Sequence, residues 1–132
     1  MDIAAIAHVA YNVKDMRASL DFYVNKLGMK HAFSISRDDG SPWIEYIKIA
    51  EGQFIELFYS EGGFQQPASY AHLCLRVECC VQAQRQLEAA GVEIDVPARQ
   101  GKDGNWQLWI HDPDGNRIEI MEINPESPQA KA

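Results

Sequence analysis

The chain has 132 residues, of which 12 are lysine or arginine and 19 are aspartate or glutamate, giving a formal net charge of −7. This length suits one domain, and the content of 46% apolar and 23% charged residues excludes an intrinsically disordered chain. The acidic balance argues against a nucleic-acid or membrane-surface partner, and no apolar run approaches the roughly 20 residues of a membrane span.

The first half of the chain predicts one strand, one helix and three further strands. Asp15 stands where a helix N-cap belongs, and Gly28 suits the left-handed residue that ends a helix. The strands are rich in valine, isoleucine and aromatic residues and are separated by glycine-containing turns. The predicted elements are a strand at 5–13, a helix at 15–27 and strands at 29–37, 42–49 and 53–60.

The second half predicts the same order of elements after a linker at 61–69, which is rich in glycine, proline and glutamine. Its elements are a strand at 70–77, a helix at 79–90 and strands at 92–97, 105–111 and 116–122. Two prolines in residues 124–132 and the lack of apolar periodicity predict a flexible tail. Cysteines 74, 79 and 80 form no metal-binding or disulfide pattern. With no secretory leader at the start, they indicate reduced thiols in a cytoplasmic protein.

The two halves are copies of one pattern. Residues 6–28, IAHVAYNVKDMRASLDFYVNKLG, match residues 70–91, YAHLCLRVECCVQAQRQLEAAG. His8 and His72 lie 64 positions apart, and Glu56 and Glu119 lie 63 apart. A histidine and a glutamate therefore recur at equivalent places, and we expect a pseudo-twofold domain rather than a longer repeat array.

Each of these four residues lies on the face of its strand that is opposite the aliphatic face, since residues two apart in a strand point the same way. Two imidazoles and two carboxylates would balance a divalent ion and suit nickel, zinc, cobalt, manganese or iron(II). The alternative is that the two carboxylates pair with Arg76 and Arg117. The other candidate substrate-binding residues on this face are Phe54, Phe58, Arg76, Trp109 and Met121.

Arg76 and Trp109 each allow two interpretations. Arg76 can clamp a substrate carboxylate or form a rim salt bridge with Glu78 or Asp114. Trp109 can form a substrate wall or pack in a core or dimer interface. For Trp43 we favour packing.

The sequence resembles the glyoxalase I/bleomycin-resistance/fosfomycin-resistance group, the vicinal oxygen chelate superfamily, and within it the bacterial glyoxalase I-like proteins. The resemblance rests on IAHVAYNVKDMRASLDFYVNKLGM, FIELFY, YAHLCLRV and DPDGNRIEIME in this order. It implies an α+β fold of two βαβββ modules, 4–60 and 70–122, in one domain spanning 1–123, with a mixed sheet curled around a metal. The family's ligand positions fall on His8, Glu56, His72 and Glu119.

The resemblance also implies a reaction. The metal binds two vicinal substrate oxygens and stabilises an enediolate after proton loss, with Glu119 as the base and Glu56 as its pseudo-symmetric partner. The expected substrate is a small 2-oxo, 2-hydroxy or thioester compound, as in a lactoylglutathione lyase-type enzyme. Asn12 and Ser60 replace an arginine and an asparagine that contact glutathione in such enzymes, so the use of glutathione stays open.

Two other functions remain open at this point. An iron or manganese dioxygenase of the same superfamily normally uses two histidines and one carboxylate, so a fourth ligand at Glu56 disfavours it. A non-catalytic drug-binding or resistance protein would need an aromatic groove without the full ligand set. The resemblance further implies a homodimer, with the metal site formed either within one chain or between two.

Overall fold

The computed structural model describes residues 8–60 and 72–131, and the chain divides into two compact units, Met1–Gln66 and Pro67–Ala132. We refer to them as module 1 and module 2. Residues 5–7 and 70–71 of the predicted strands, the linker 61–69 and the final residue of the tail lie outside the described residues. Of the helices described, none is long and apolar enough to cross a membrane.

Module 1 is a four-stranded mixed sheet with one helix after its first strand. Its sheet order is β1-β4-β3-β2, in which β1 runs parallel to β4 and the other pairs are antiparallel. The helix starts as α1 and continues as a π-helical segment. The bounds are β1 His8–Val13, α1 Met16–Leu20, the π-helical segment Asp21–Lys26, β2 Lys30–Ser36, β3 Pro42–Ala50 and β4 Gln53–Tyr59.

Module 2 repeats this topology, with the sheet order β5-β8-β7-β6 and a parallel pair between β5 and β8. Both modules are thus βαβββ units, and the predicted α+β class is confirmed. The bounds are β5 Leu73–Arg76, α2 Cys80–Ala89, β6 Val96–Gln100, β7 Trp106–His111, β8 Arg117–Glu122 and α3 Pro128–Lys131. The short α3 lies in the predicted flexible tail.

Local sequence signals account for the start and end of the first helix. The Asp15 carboxylate accepts a hydrogen bond from the backbone N–H of Ala18 at 3.1 Å, as an N-cap does. Gly28 follows the helix with φ of 73°, a conformation that only glycine adopts without strain. The widening of residues 21–26 into a π-helical segment has no such signal in the sequence.

The bounds predicted for the strand at 92–97 are wrong, because the observed strand β6 begins later and spans Val96–Gln100. Val92 instead closes α2: its N–H bonds to the Leu87 carbonyl at 2.9 Å, and its side chain is buried. The sheet edge is joined only from Asp95, whose N–H donates to the Trp109 carbonyl at 2.8 Å. An apolar residue after a glycine can serve as a helix-end contact as well as a strand residue, which explains the error.

One face of each sheet forms the core, as the alternation of side chains predicts. In β4 and β8 the aliphatic residues Ile55, Leu57, Ile118 and Ile120 are at most 4% exposed. The opposite face carries the histidines and glutamates of interest. The alternation of side chains along each strand therefore places the core residues on one face of the sheet and the candidate functional residues on the other.

Glu45 is an exception, because this carboxylate is buried on the core-facing side of β3. It accepts hydrogen bonds from Tyr59 Oη at 2.9 Å and from Ser34 Oγ, and its Oε2 lies 2.6 Å from His31 Nε2. Burial by itself would raise the pKa of Glu45, but these three partners outweigh it and hold the pKa below its usual value.

Module 1 should therefore lose stability in acid partly through Glu45. A depressed folded-state pKa contributes stability that is present above the unfolded value of about 4.3 and is lost as the pH falls through the lower folded value. Urea unfolding between pH 6 and pH 3 should show a shallower loss for Glu45→Gln than for the wild type. Equal pH slopes for the two proteins would contradict this role of Glu45.

Candidate metal centre

In module 1 the predicted histidine and glutamate lie side by side. β1 and β4 run parallel, with Ala10 opposite Glu56 and His8 opposite Phe54. This register places His8 Nδ1 3.4 Å from Glu56 Oε1. Glu56 is only 6% exposed, whereas the His8 side chain is 48% exposed. A nearly buried carboxylate thus faces an accessible imidazole nitrogen.

Tyr46 is the second partner of Glu56. It lies opposite Glu56 in the β3–β4 register, and its hydroxyl donates a hydrogen bond to the carboxylate. This bond, with burial and the negative charge of Glu56, raises the pKa of Tyr46. Phe33 stacks on the Tyr46 ring with centroids 4.3 Å apart, and Phe54 meets it edge-on at 6.1 Å. The carboxylate therefore lies beside a cluster of three aromatic rings.

Module 2 repeats the pair. His72 Nε2 lies 3.2 Å from Glu119 Oε2, and Glu119 is 6% exposed. Trp109 is opposite Glu119 in the β7–β8 register, the position that Tyr46 takes in module 1. Its indole meets the His72 ring edge-on, with centroids 4.8 Å apart. The aromatic neighbour of each carboxylate is thus also duplicated.

Cys74 is the second partner of Glu119. The two residues are opposite each other in the β5–β8 register, and the thiol bonds to the carboxylate. Partial burial of the sulfur, together with the Glu119 charge and hydrogen bond, raises the pKa of Cys74 to about 12. The thiol is therefore a neutral donor at physiological pH rather than a nucleophile.

The arginine alternative for the carboxylates does not hold for Arg76. Within residues 72–131 Arg76 forms no hydrogen bond or ion pair, with Glu119, Glu78 or any other residue. The Arg117 guanidinium lies over the Trp109 ring, 4.3 Å from its centroid. Trp109 also donates from Nε1 to Gln107 Oε1 at 2.9 Å.

The remaining candidate substrate residues differ in accessibility. Phe54 and Phe58 are partly exposed, and Trp43 meets Phe58 edge-on at 6.1 Å. Met121 is buried and receives a contact from Asn105 Nδ2 at 3.8 Å. Sequence reasoning missed Tyr46 and the bond from Cys74. The internal repeat held a signal for Tyr46, since it lies 63 positions before Trp109, the same offset as Glu56 and Glu119.

In each pair the distance between the imidazole nitrogen and the carboxylate oxygen matches that between two ligand atoms on one metal ion. Metal–ligand bonds of about 2.1 Å place adjacent donors about 3.0–3.4 Å apart for octahedral to tetrahedral angles. The observed separations are 3.4 Å for His8–Glu56 and 3.2 Å for His72–Glu119. Across the described parts of the chain, no group of three or more histidine, cysteine, aspartate or glutamate side chains is gathered for a metal. Each module thus offers two compatible donors.

Comparison with known proteins identifies the family. Residues 5–120 match the Glyoxalase/Bleomycin resistance protein/Dioxygenase superfamily, and the chain belongs to it. The chain is 28% identical over 127 residues to the lactoylglutathione lyase of Escherichia coli O157:H7, covering 89% of this chain and 91% of that protein. For the lactoylglutathione lyase of Pseudomonas aeruginosa the identity is 26% over 145 residues, covering 89% and 81%.

Solved structures agree with this assignment. A glyoxalase family protein from Enterococcus faecalis superposes with a TM-score of 0.76 at 28% identity, covering 89% of this chain and 97% of that one. The lactoylglutathione lyase from Agrobacterium tumefaciens gives a TM-score of 0.71 at 19% identity, covering 92% and 96%, and shares the fold. The family match and the lactoylglutathione lyase relatives support an enzyme of this superfamily.

Proposed function

We propose that the protein is a metal-dependent lyase or isomerase of glyoxalase I type, acting by proton transfer on a small 2-oxo, 2-hydroxy or thioester substrate. The supporting observation is the duplicated pair of one accessible imidazole and one nearly buried carboxylate, with donor separations of 3.4 and 3.2 Å. A glyoxalase-type family and lactoylglutathione lyase relatives agree with it.

In this proposal His8, Glu56, His72 and Glu119 are the ligands, two from each module. Imidazole nitrogen with carboxylate oxygen suits nickel, zinc, cobalt, manganese or iron(II). A bound divalent ion would act as a Lewis acid for negative charge developing on the substrate oxygens.

Glu119 is the better base of the two carboxylates. Glu56 accepts a hydrogen bond from the Tyr46 hydroxyl, whereas Glu119 accepts one from the Cys74 thiol, which is the weaker donor. The carboxylate with the weaker hydrogen-bond partner is freer to leave its ligand position and move towards the substrate. Glu56 then serves mainly as a ligand and as a fixed negative charge.

Metal analysis followed by a proton-exchange assay tests this function. We expect stoichiometric divalent metal in the purified protein, lost in His8→Ala and His72→Ala but kept in His111→Ala. His111 is a matched control because it pairs with Asp95 at 2.8 Å, outside the proposed site. Chelation should abolish deuterium exchange into the substrate, and one of the five metals should restore it.

The substrates for this assay are the hemithioacetals of methylglyoxal with glutathione and with 2-mercaptoethanol, and small 2-oxo and 2-hydroxy acids. Exchange only with the glutathione adduct would assign glutathione to this enzyme. Metal-loaded protein that exchanges no proton on any of them contradicts the proposal, and oxygen consumption would favour the dioxygenase. Absence of metal binding would leave a drug-binding protein as the better function.

A further inference from the structure

Arg76 is a cation next to the module 2 pair that has no partner among the described residues. It is the last residue of β5, is exposed, and forms no hydrogen bond or ion pair within residues 72–131. It lines an open depression of about 500 Å³ together with Cys74, Met121, Ile123 and Ala130. These neighbours are apolar or neutral, so among the described lining residues the guanidinium is the only charged group.

The strand register fixes where this cation lies relative to Glu119. Cys74 is opposite Glu119 and Arg76 is opposite Met121, two residues further along both strands. Residues two apart share a face, and diagonal neighbours on a sheet are about 7–8 Å apart. A ligand whose reacting carbon lies at Glu119 therefore reaches the guanidinium with a group a few bonds away.

We propose that Arg76 binds a carboxylate of the substrate, which makes the module 2 pair selective for organic acids over neutral carbonyl compounds. Guanidinium binds carboxylates through two parallel hydrogen bonds, and an arginine without a protein partner is free to do so. In a chain of net charge −7, a local cation is also needed to attract an anion. This inference rests on the proposed function for the reacting end of the substrate.

The internal repeat supplies the variant that tests it. The residue 64 positions before Arg76 is Asn12, so Arg76→Asn gives module 2 the side chain that module 1 carries at the equivalent place. Arg76→Gln is a second variant, and Arg76→Lys keeps the charge without the bidentate geometry. Arg99→Asn is the matched control, since Arg99 is an exposed arginine of β6 in the same module.

The experiment is an NMR titration of the chelator-treated full chain, following the Arg76 side-chain resonance, which is assigned by its loss in Arg76→Gln. The probes are pyruvate, its uncharged methyl ester, S-methylglutathione and inorganic phosphate. We expect pyruvate to shift the Arg76 signal and the methyl ester to leave it unchanged. Pyruvate affinity should fall about tenfold or more in Arg76→Asn, as for a lost charge-assisted hydrogen bond, and stay unchanged in Arg99→Asn.

The four probes distinguish a carboxylate of a small acid from a carboxylate of glutathione. Tighter binding of S-methylglutathione than of pyruvate would assign Arg76 to glutathione rather than to a small acid. Equal binding of pyruvate and its ester, or tighter binding of phosphate, would overturn the proposal. The titration uses chelator-treated protein, so its result does not depend on a bound metal. If pyruvate binds in the titration but the separate assay shows no proton exchange, only the proposed function is rejected. If exchange occurs, Arg76→Asn should raise KM for acids with little change in kcat.

Discussion

Glu119→Gln should lower the rate of proton exchange by about 10²–10⁴-fold, the contribution of a positioned general base. Glutamine has the shape of glutamate and can still accept a bond from Cys74, but it cannot take up a proton. Metal content should be measured on the same sample, because Glu119 is also a proposed ligand. Deuterium exchange into the substrate, followed by NMR with the metal restored, checks the result.

Glu56→Gln is the informative comparison for Glu119→Gln. If Glu56 serves mainly as a ligand held by Tyr46, its replacement should weaken metal binding more than it slows exchange at saturating metal. Glu93→Gln, an exposed glutamate of module 2, should leave both quantities unchanged. A near-normal rate for Glu119→Gln with a collapsed rate for Glu56→Gln would transfer the role of base to Glu56.

The equivalent placement of a histidine and a glutamate in each module was predictable from two features of the sequence, the period of two in strands and the internal repeat. The period of two in strands assigned His8 and Glu56 to the polar face, and the internal repeat showed that His72 and Glu119 follow the same plan. In the structure the histidine and glutamate of each module lie within 3.4 Å of each other. Whether all four side chains serve one ion stays a prediction.

The groups that surround the carboxylates were not predictable, since they depend on strand register. Tyr46 reaches Glu56 through the register of the antiparallel β3–β4 hairpin, whereas Cys74 reaches Glu119 through the register of the parallel β5–β8 pair, which no hairpin joins. Glu45 shows the same limit: its position in an apolar strand gives no sign that His31, Ser34 and Tyr59 converge on it. Composition and periodicity describe one strand at a time, whereas these networks join several.

The turn at residues 112–115 was predictable from its Asp-Pro-Asp-Gly sequence, and its energetic importance follows from the structure. Asp112 is 1% exposed and accepts bonds from the backbone N–H groups of Asp114 and Asn116 and from Asn116 Nδ2, all at 2.8–2.9 Å. These bonds close the hairpin of β7 and β8, which carries Trp109 and Glu119. One buried carboxylate thus supports the strand pair on which the module 2 site lies.

Asp112→Ala should destabilise the protein by about 2–4 kcal/mol, because it leaves buried donors without an acceptor. Asp112→Asn keeps one acceptor oxygen for the backbone donors and should lose about 1 kcal/mol. Asp38→Ala, an exposed aspartate in the module 1 turn, should change stability by less than about 0.5 kcal/mol. Urea unfolding measures all three, and a loss for Asp112→Ala no greater than that for Asp38→Ala would contradict the role of this turn. At urea concentrations below its unfolding transition, Asp112→Ala should retain proton exchange, since the three bonds that the side chain accepts lie within the turn.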